Sequence, residues 1–162
     1  MKVGLMADTH DNLEATERAV DLFNEREVEH VLHAGDLVSP FVVSKLSNLD
    51  AELHFVWGNN EGDRGHIREN FQEIGVSPAG EFASVNLAGR RIALLHGKDE
   101  EIVEALAGSG KYDLVVRGHT HSPGIEKEPL IVNPGATSGY LTDHETVALL
   151  DTEEMRPEIV KI

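Results

Sequence analysis

The sequence predicts an α/β protein made of two packed β-sheets with helices outside them. Three observations carry this expectation. In the first sixty residues, short apolar runs of strand length alternate with amphipathic helical stretches. The second half holds mostly short strand-like runs and hairpin signals, with too little helix to cover both faces of one large sheet. Almost every apolar run also stops at Asp, Asn or His, where an open α/β sheet presents its site beyond the strand ends.

In chain order, Lys2 to Ala7 is a buried-strand run ending in Asp8-Thr9-His10-Asp11-Asn12. From Leu13 to Arg26 the period becomes helical. Leu13, Thr16, Ala19, Val20 and Phe23 form the inner stripe, and Asp11 or Asn12 can cap it. Val31 to Ala34 is a second strand, ending in Gly35-Asp36. Pro40 opens a short helix over Phe41 to Leu46, since a proline in the first turn sacrifices no hydrogen bond. Glu52 to Trp57 is a third strand, ending in Gly58-Asn59-Asn60-Glu61-Gly62.

His66 to Ile74 is expected to be helical. Phe82 to Leu87 and Arg91 to Leu95 alternate like strands, with Ala88-Gly89-Arg90 as the hairpin between them. The second arm runs into His96-Gly97. Glu100 to Leu106 is helical, and 113–117 is a strand leading into Gly118-His119-Thr120-His121. Ser122-Pro123-Gly124 is expected as a turn. Leu130 to Val132 is a strand ending in Asn133-Pro134-Gly135. Thr146 to Leu150 and Glu158 to Ile162 close the chain as a hairpin.

Composition narrows the function. At 162 residues, with no linker or repeat, residues 1–162 are expected to form one domain. The 29 acidic against 14 basic residues give a net charge of −15, which disfavours nucleic acid and anionic membranes. The absence of cysteine excludes disulfides and thiolate metal sites, so any metal must use N and O ligands. No signal peptide is visible, and no apolar run approaches the roughly 20 residues of a membrane helix. A soluble, cytoplasmic protein is the expectation.

The chemistry lies at the strand ends. Asp8, His10, Asp36, Asn59, His96, His119 and His121 all fall at or just past one. His119 and His121 sit two apart, and residues i and i+2 of extended backbone share a face, so they are expected to aim at one place. Seven N/O ligands exceed what one ion needs and suit two ions that share a carboxylate. The set favours Mn²⁺, Fe²⁺, Co²⁺, Ni²⁺ or Zn²⁺ over Ca²⁺, which prefers oxygen alone.

Asp8-x-His10, Gly35-Asp36, Gly58-Asn59, His96 and Gly118-His119-x-His121, in this order, resemble the signature of the calcineurin-like metallophosphoesterases. More narrowly, the chain resembles the small prokaryotic phosphodiesterases of the YfcE type, with an archaeal source implied. The resemblance implies a four-layer α/β/β/α sandwich of two mixed β-sheets flanked by helices. It implies two divalent ions, Mn²⁺ foremost. Asp8, His10 and His121 would hold one, Asn59, His96 and His119 the other, and Asp36 would bridge them. The activity implied is hydrolysis of a small phosphodiester by attack of a metal-bridging hydroxide, with Asp36, Asn59 and His119 as the catalytic residues. Self-association is common among such relatives.

One position departs from the pattern. Many relatives have histidine after the motif asparagine, where this chain has Asn60. An amide cannot protonate a leaving group at neutral pH, so activated leaving groups are expected to be favoured. His10 and Glu61 are the nearest substitutes by sequence. Two other readings stand beside the enzyme: a non-catalytic metal-binding scaffold of the Vps29 type, and a metal-dependent nuclease, which the charge opposes. Arg64 and Arg117 are candidate phosphate clamps, and Thr9 and the Asn133-Pro134-Gly135 turn candidate site linings. His30, His33, His54, His66 and His144 are expected to be core or surface histidines.

Overall fold

The computed structural model describes residues 1–162. Two five-stranded sheets pack face to face. In the first, β1 (Lys2–Met6) lies between β2 (His30–His33) and β9 (Thr146–Asp151), with β3 (Glu52–Phe55) and β10 (Arg156–Lys161) at the edges. In the second, the order is β4 (Phe82–Leu87), β5 (Arg90–Leu95), β6 (Leu114–Val116), β8 (Leu130–Asn133) and β7 (Gly124–Lys127). Both sheets are mixed: β1, β2 and β3 run parallel, as do β5, β6 and β8, and the remaining pairs are antiparallel.

Alternation along the strands decides which residues meet. Val3, Leu5, Leu32, Val56, Ala148 and Leu150 face Val85, Ile92, Leu94, Leu114, Val116 and Val132 across the sheet interface. On the outer face of the first sheet, Met6, Val31, Phe55 and Val147 pack against α1 (Leu13–Glu25), α2 (Val43–Leu46) and α3 (Arg64–Glu73). On the outer face of the second, Ala93, Leu95, Val115 and Ile131 pack against Val103 and Ala107 of α4 (Glu100–Gly108). The layer order is therefore helices, sheet, sheet, helix, as the resemblance implied.

Most elements form where the sequence places them. Asn12 caps α1 by accepting the Ala15 N–H at 3.1 Å, and Thr16, Ala19, Val20 and Phe23 are its buried stripe. Pro40 starts a 3₁₀ turn, Pro40–Val42, that continues into α2. The β4–β5 hairpin needs only Ala88 and Gly89, both at positive φ, and Arg90 already belongs to the strand. Ser122-Pro123-Gly124 is a correction. Gly124 begins β7, an edge strand with only Ile125 as an apolar residue; its backbone pairing with β8 leaves no apolar signature.

Candidate metal centre

The C-terminal ends of β1, β2, β5 and β6 converge, and backbone hydrogen bonds lock their loops together. Asp8 N–H donates to the Gly35 carbonyl at 3.0 Å, His10 N–H to the Asp36 carbonyl at 3.2 Å, and Gly118 N–H to the His96 carbonyl at 3.0 Å. Two glycines permit this closeness. A Cβ at Gly58 would stand 2.1 Å from Asp36 Oδ1, and one at Gly118 would stand 2.8 Å from Asp8 Oδ2.

The side chains form two overlapping groups. In one, His10 Nε2 and His121 Nε2 are 3.2 Å apart, and they lie 3.6 and 3.4 Å from Asp8 Oδ1. In the other, His96 Nε2 lies 3.3 Å from Asp36 Oδ1. Asp36 Oδ2 is also 3.6 Å from His10 Nε2, so this carboxylate reaches both groups. The His119 ring stands edge-on to that of His96, centroids 5.2 Å apart. Asn59 donates its backbone N–H to Asp36 Oδ1 at 2.7 Å and lines a cavity beside His96. All seven candidate residues are thus assembled at one place.

The route to that assembly differs from the expected one. His119 and His121 are not extended: their φ angles are 70° and 59°, and β6 ends at Val116. Asp8, His10 and Asp36 also have positive φ, at 54°, 38° and 59°. Left-handed backbone costs an L-residue roughly 1–2 kcal/mol, and its concentration here marks a site held in shape by its surroundings. The strand-face argument for the two histidines fails for this reason. They point to different parts of the site, His121 to Asp8 and His10, His119 to His96.

Atoms able to bind metal are buried here without partners. Asp8 Oδ1 and His96 Nε2 are buried and lack hydrogen bonds. His96 Nδ1 donates to the Ala34 carbonyl at 2.8 Å, which leaves Nε2 as a lone pair facing Asp36. Asp8 and Asp36 are buried to 0% and 1% exposure. Two such carboxylates beside inward-facing imidazole nitrogens suit bound cations, which would offset their charge. The donor set, all N and O, fits first-row divalent ions.

The same electrostatic surroundings shift the acidities of these side chains. Burial alone would raise the Asp36 carboxyl, but His96 and the N–H groups of Asn60 hold it well below the usual carboxylate range. The nearby Asp8 carboxylate raises His10 above its ordinary value. Burial opposes protonation of His96, yet the Asp36 carboxylate raises it. Burial and the neighbouring His96 lower His119.

Several candidate linings take supporting roles instead. Thr9 is fully buried and its Oγ1 meets His33 Nε2 at 3.3 Å. Asn133 Nδ2 donates to the Gly118 carbonyl at 3.0 Å and to Thr120 Oγ1 at 2.9 Å. Gly135 N–H is taken by Asn133 Oδ1, so this turn braces the histidine loop and offers no N–H to an anion there. Arg117 is buried, pairs with Glu100 and donates to the Gly97 carbonyl, which makes it a brace. Arg64 is half-buried over the Trp57 ring, 5.3 Å from its centroid, beside Asn59. Glu61 accepts the Leu37 N–H at 3.2 Å.

His33 is the residue sequence reasoning undervalued. It is buried as expected of a core histidine. Its Nδ1 also accepts the Gly35 N–H at 3.1 Å, so the neutral ring ties the Asp8–His10 loop, through Thr9, to the Gly35–Asp36 loop. The available signal was a polar residue inside an apolar strand just before Gly-Asp.

Carboxylate and imidazole side chains clustered at the strand ends of a four-layer sandwich suit a metal-dependent hydrolase. Residues 1–155 match the model of the calcineurin-like phosphoesterase superfamily domain, and the chain belongs to that family. It is 39% identical over 157 residues to a phosphodiesterase of Methanocaldococcus jannaschii, covering 95% of each chain. A solved structure described as a novel archaeal phosphodiesterase superposes with a TM-score of 0.94 at 37% identity, covering both chains fully. Zinc-bound Vps29 of Entamoeba histolytica shares the fold at a TM-score of 0.72 and 20% identity, over 99% of each chain. No helix is long and apolar enough to cross a membrane.

Proposed function

We propose that this phosphoesterase is a dinuclear metal-dependent phosphodiesterase acting on small diesters. One observation carries the reading: Asp36 reaches both ligand groups, within 3.3 Å of His96 Nε2 and 3.6 Å of His10 Nε2. A carboxylate so placed suits a bridge between two ions. In this reading Asp8, His10 and His121 hold one ion, and Asn59, His96 and His119 hold the other. Two divalent ions, Mn²⁺ by preference, supply Lewis-acid charge and an activated water near neutral pH.

The chain's own residues set the geometry. Asn59 and Asn60 orient Asp36 through three N–H groups. Asp8 Oδ2 accepts the His119 N–H at 3.1 Å, which fixes the histidine loop against the first strand. Preorganised positive charge at this place would stabilise a phosphoryl group as charge develops on its oxygens. A net charge of −15 favours a small diester over a long polyanion.

The test is direct. Metal-free protein receives Mn²⁺, Ni²⁺, Zn²⁺ or Mg²⁺ in turn, and a chromogenic diester is assayed beside the matching monoester. Diester hydrolysis that requires added metal supports the proposal. Metal binding with no hydrolysis under any ion would leave a scaffold of the Vps29 kind.

A further inference from the structure

We propose that the site takes phosphodiesters carrying a planar aromatic substituent, held in the cavity beside Asn59 and His96; this rests on the phosphodiesterase reading. The cavity, about 600 Å³, lies within the range of small-ligand sites. Asn59 and His96 form one wall, so a phosphoryl group at the metal centre would direct a substituent into it. The other walls combine apolar side chains, Phe82, Ile102 and Tyr112 among them, with the charged Glu81, Lys98 and Asp99. Phe82 and Tyr112 pack edge to face with centroids 6.2 Å apart, and Ile102 closes the side. Phe82 and Ile102 remain 40% and 52% exposed, an apolar surface continuous with a polar site. Arg64, layered over Trp57, donates to the Gly58 carbonyl at 2.9 Å and lies 3.6 Å from Glu81 at the cavity wall. An aromatic ring would cover these faces and a small alkyl group would not. A monoester lacks the second arm.

Trp57 is the only tryptophan and lines this cavity, so its fluorescence reports occupancy without reference to turnover. Metal-loaded protein is titrated with diphenyl phosphate and with diethyl phosphate, in wild type, Phe82→Ala and Ile102→Ala. The expected result is a change in Trp57 emission with diphenyl phosphate, at least tenfold tighter binding than for diethyl phosphate, and loss of most of that preference in the variants. Equal affinities in wild type, or a preference untouched in both variants, would overturn the proposal. Failure of the enzyme reading would show separately, as no hydrolysis with any ion.

A second inference rests on a different cluster. The geometry points to a further transition-metal site at His30, Glu52 and His54, of the zinc class. His30 and Glu52 open β2 and β3 and His54 lies two residues along β3, with His30 paired to Glu52 and Leu32 to His54. His30 Nδ1 and His54 Nε2 are 3.2 Å apart, and Glu52 oxygens lie 3.7 and 3.6 Å from them. Those carboxylate distances exceed hydrogen-bond range. They match the ligand–ligand separations of Asp8, His10 and His121, and the roughly 3.3–3.4 Å edge of a tetrahedron around an ion bound at about 2.0–2.1 Å. The three atoms fall within one ion's reach, and the exposed side of Glu52 leaves a position for water.

The test is metal content after equilibrium dialysis of full-length protein against Zn²⁺, with circular dichroism as the check on folding. His30→Ala and His54→Ala are expected to bind one equivalent fewer than wild type while keeping phosphodiester hydrolysis. Bound equivalents equal to wild type in folded samples of both variants would overturn the assignment.

Discussion

Asn60 donates its side-chain amide to Asp36 Oδ2 at 2.7 Å and its backbone N–H to Asp36 Oδ1 at 2.8 Å. This position, next to the motif asparagine, orients the carboxylate between the two candidate ligand groups. Groups that orient metal ligands are typically worth 10–100-fold in affinity or activity. Asn60→Ala is therefore expected to lower metal affinity or kcat/KM by that factor. Because the amide supplies no proton, log rate in wild type is expected to fall steeply as leaving-group pKa rises. A flat dependence across a series of aryl and alkyl diesters would show that another residue donates the proton.

Gly58 makes a sharper case. Any Cβ there would lie 2.1 Å from Asp36 Oδ1 and 2.5 Å from the Asp36 nitrogen. Gly58→Ala must displace Asp36, and misplacing a catalytic group by about 1 Å can remove 10²-fold of rate. The expected outcome is at least that loss of kcat/KM together with weaker metal binding. Normal metal content and rate would mean the loop yields freely.

His33 links the site to stability. Burial, helped by the nearby His96, lowers its pKa to about 3. An unfolded chain takes up this proton below about pH 6.5, whereas the native state resists until about pH 3. The neutral ring's contribution is thus complete above pH 6.5 and is lost as pH falls through that window, by up to about 1.4 kcal/mol per pH unit. Urea unfolding of His33→Gln, followed from pH 7 to pH 4, is expected to lose one proton's worth of that slope relative to wild type. Identical slopes would remove His33 as the cause.

The two histidines of Gly118-His119-Thr120-His121 divide between the groups. His121 Nε2 lies 3.4 Å from Asp8 Oδ1, while His119 packs against His96. His121→Ala is expected to weaken one metal site and leave the other filled, with His119→Ala doing the converse. Metal content of dialysed protein distinguishes this from a shared chelate, in which either substitution removes the same ion.

The candidate ligands are legible in the sequence because carboxylate, amide and imidazole residues stand where apolar runs stop. Asp8 follows β1 closely, Asp36 follows β2, and His96 follows β5 directly. The two packed sheets were legible because the second half holds too little helix to cover both faces of one large sheet. Other features needed three dimensions. The positive φ of His119 and His121 has no local signature in a non-glycine residue. The partnerships of Asn60 with Asp36, of His33 with Gly35 and of Asn133 with Gly118 depend on how separate loops meet. β7 is invisible because an edge strand held by backbone bonds needs little apolar content.

The central claim is a pair of ions sharing Asp36. Electron paramagnetic resonance of metal-free protein titrated with Mn²⁺, with diester hydrolysis measured on the same samples, tests it most directly. The expected result is two equivalents bound, a spin-coupled signal, and activity that rises with the second equivalent. In Asp36→Ala both the coupling and the hydrolysis should vanish. Full activity at one equivalent, or two uncoupled ions with undiminished hydrolysis, would contradict the account.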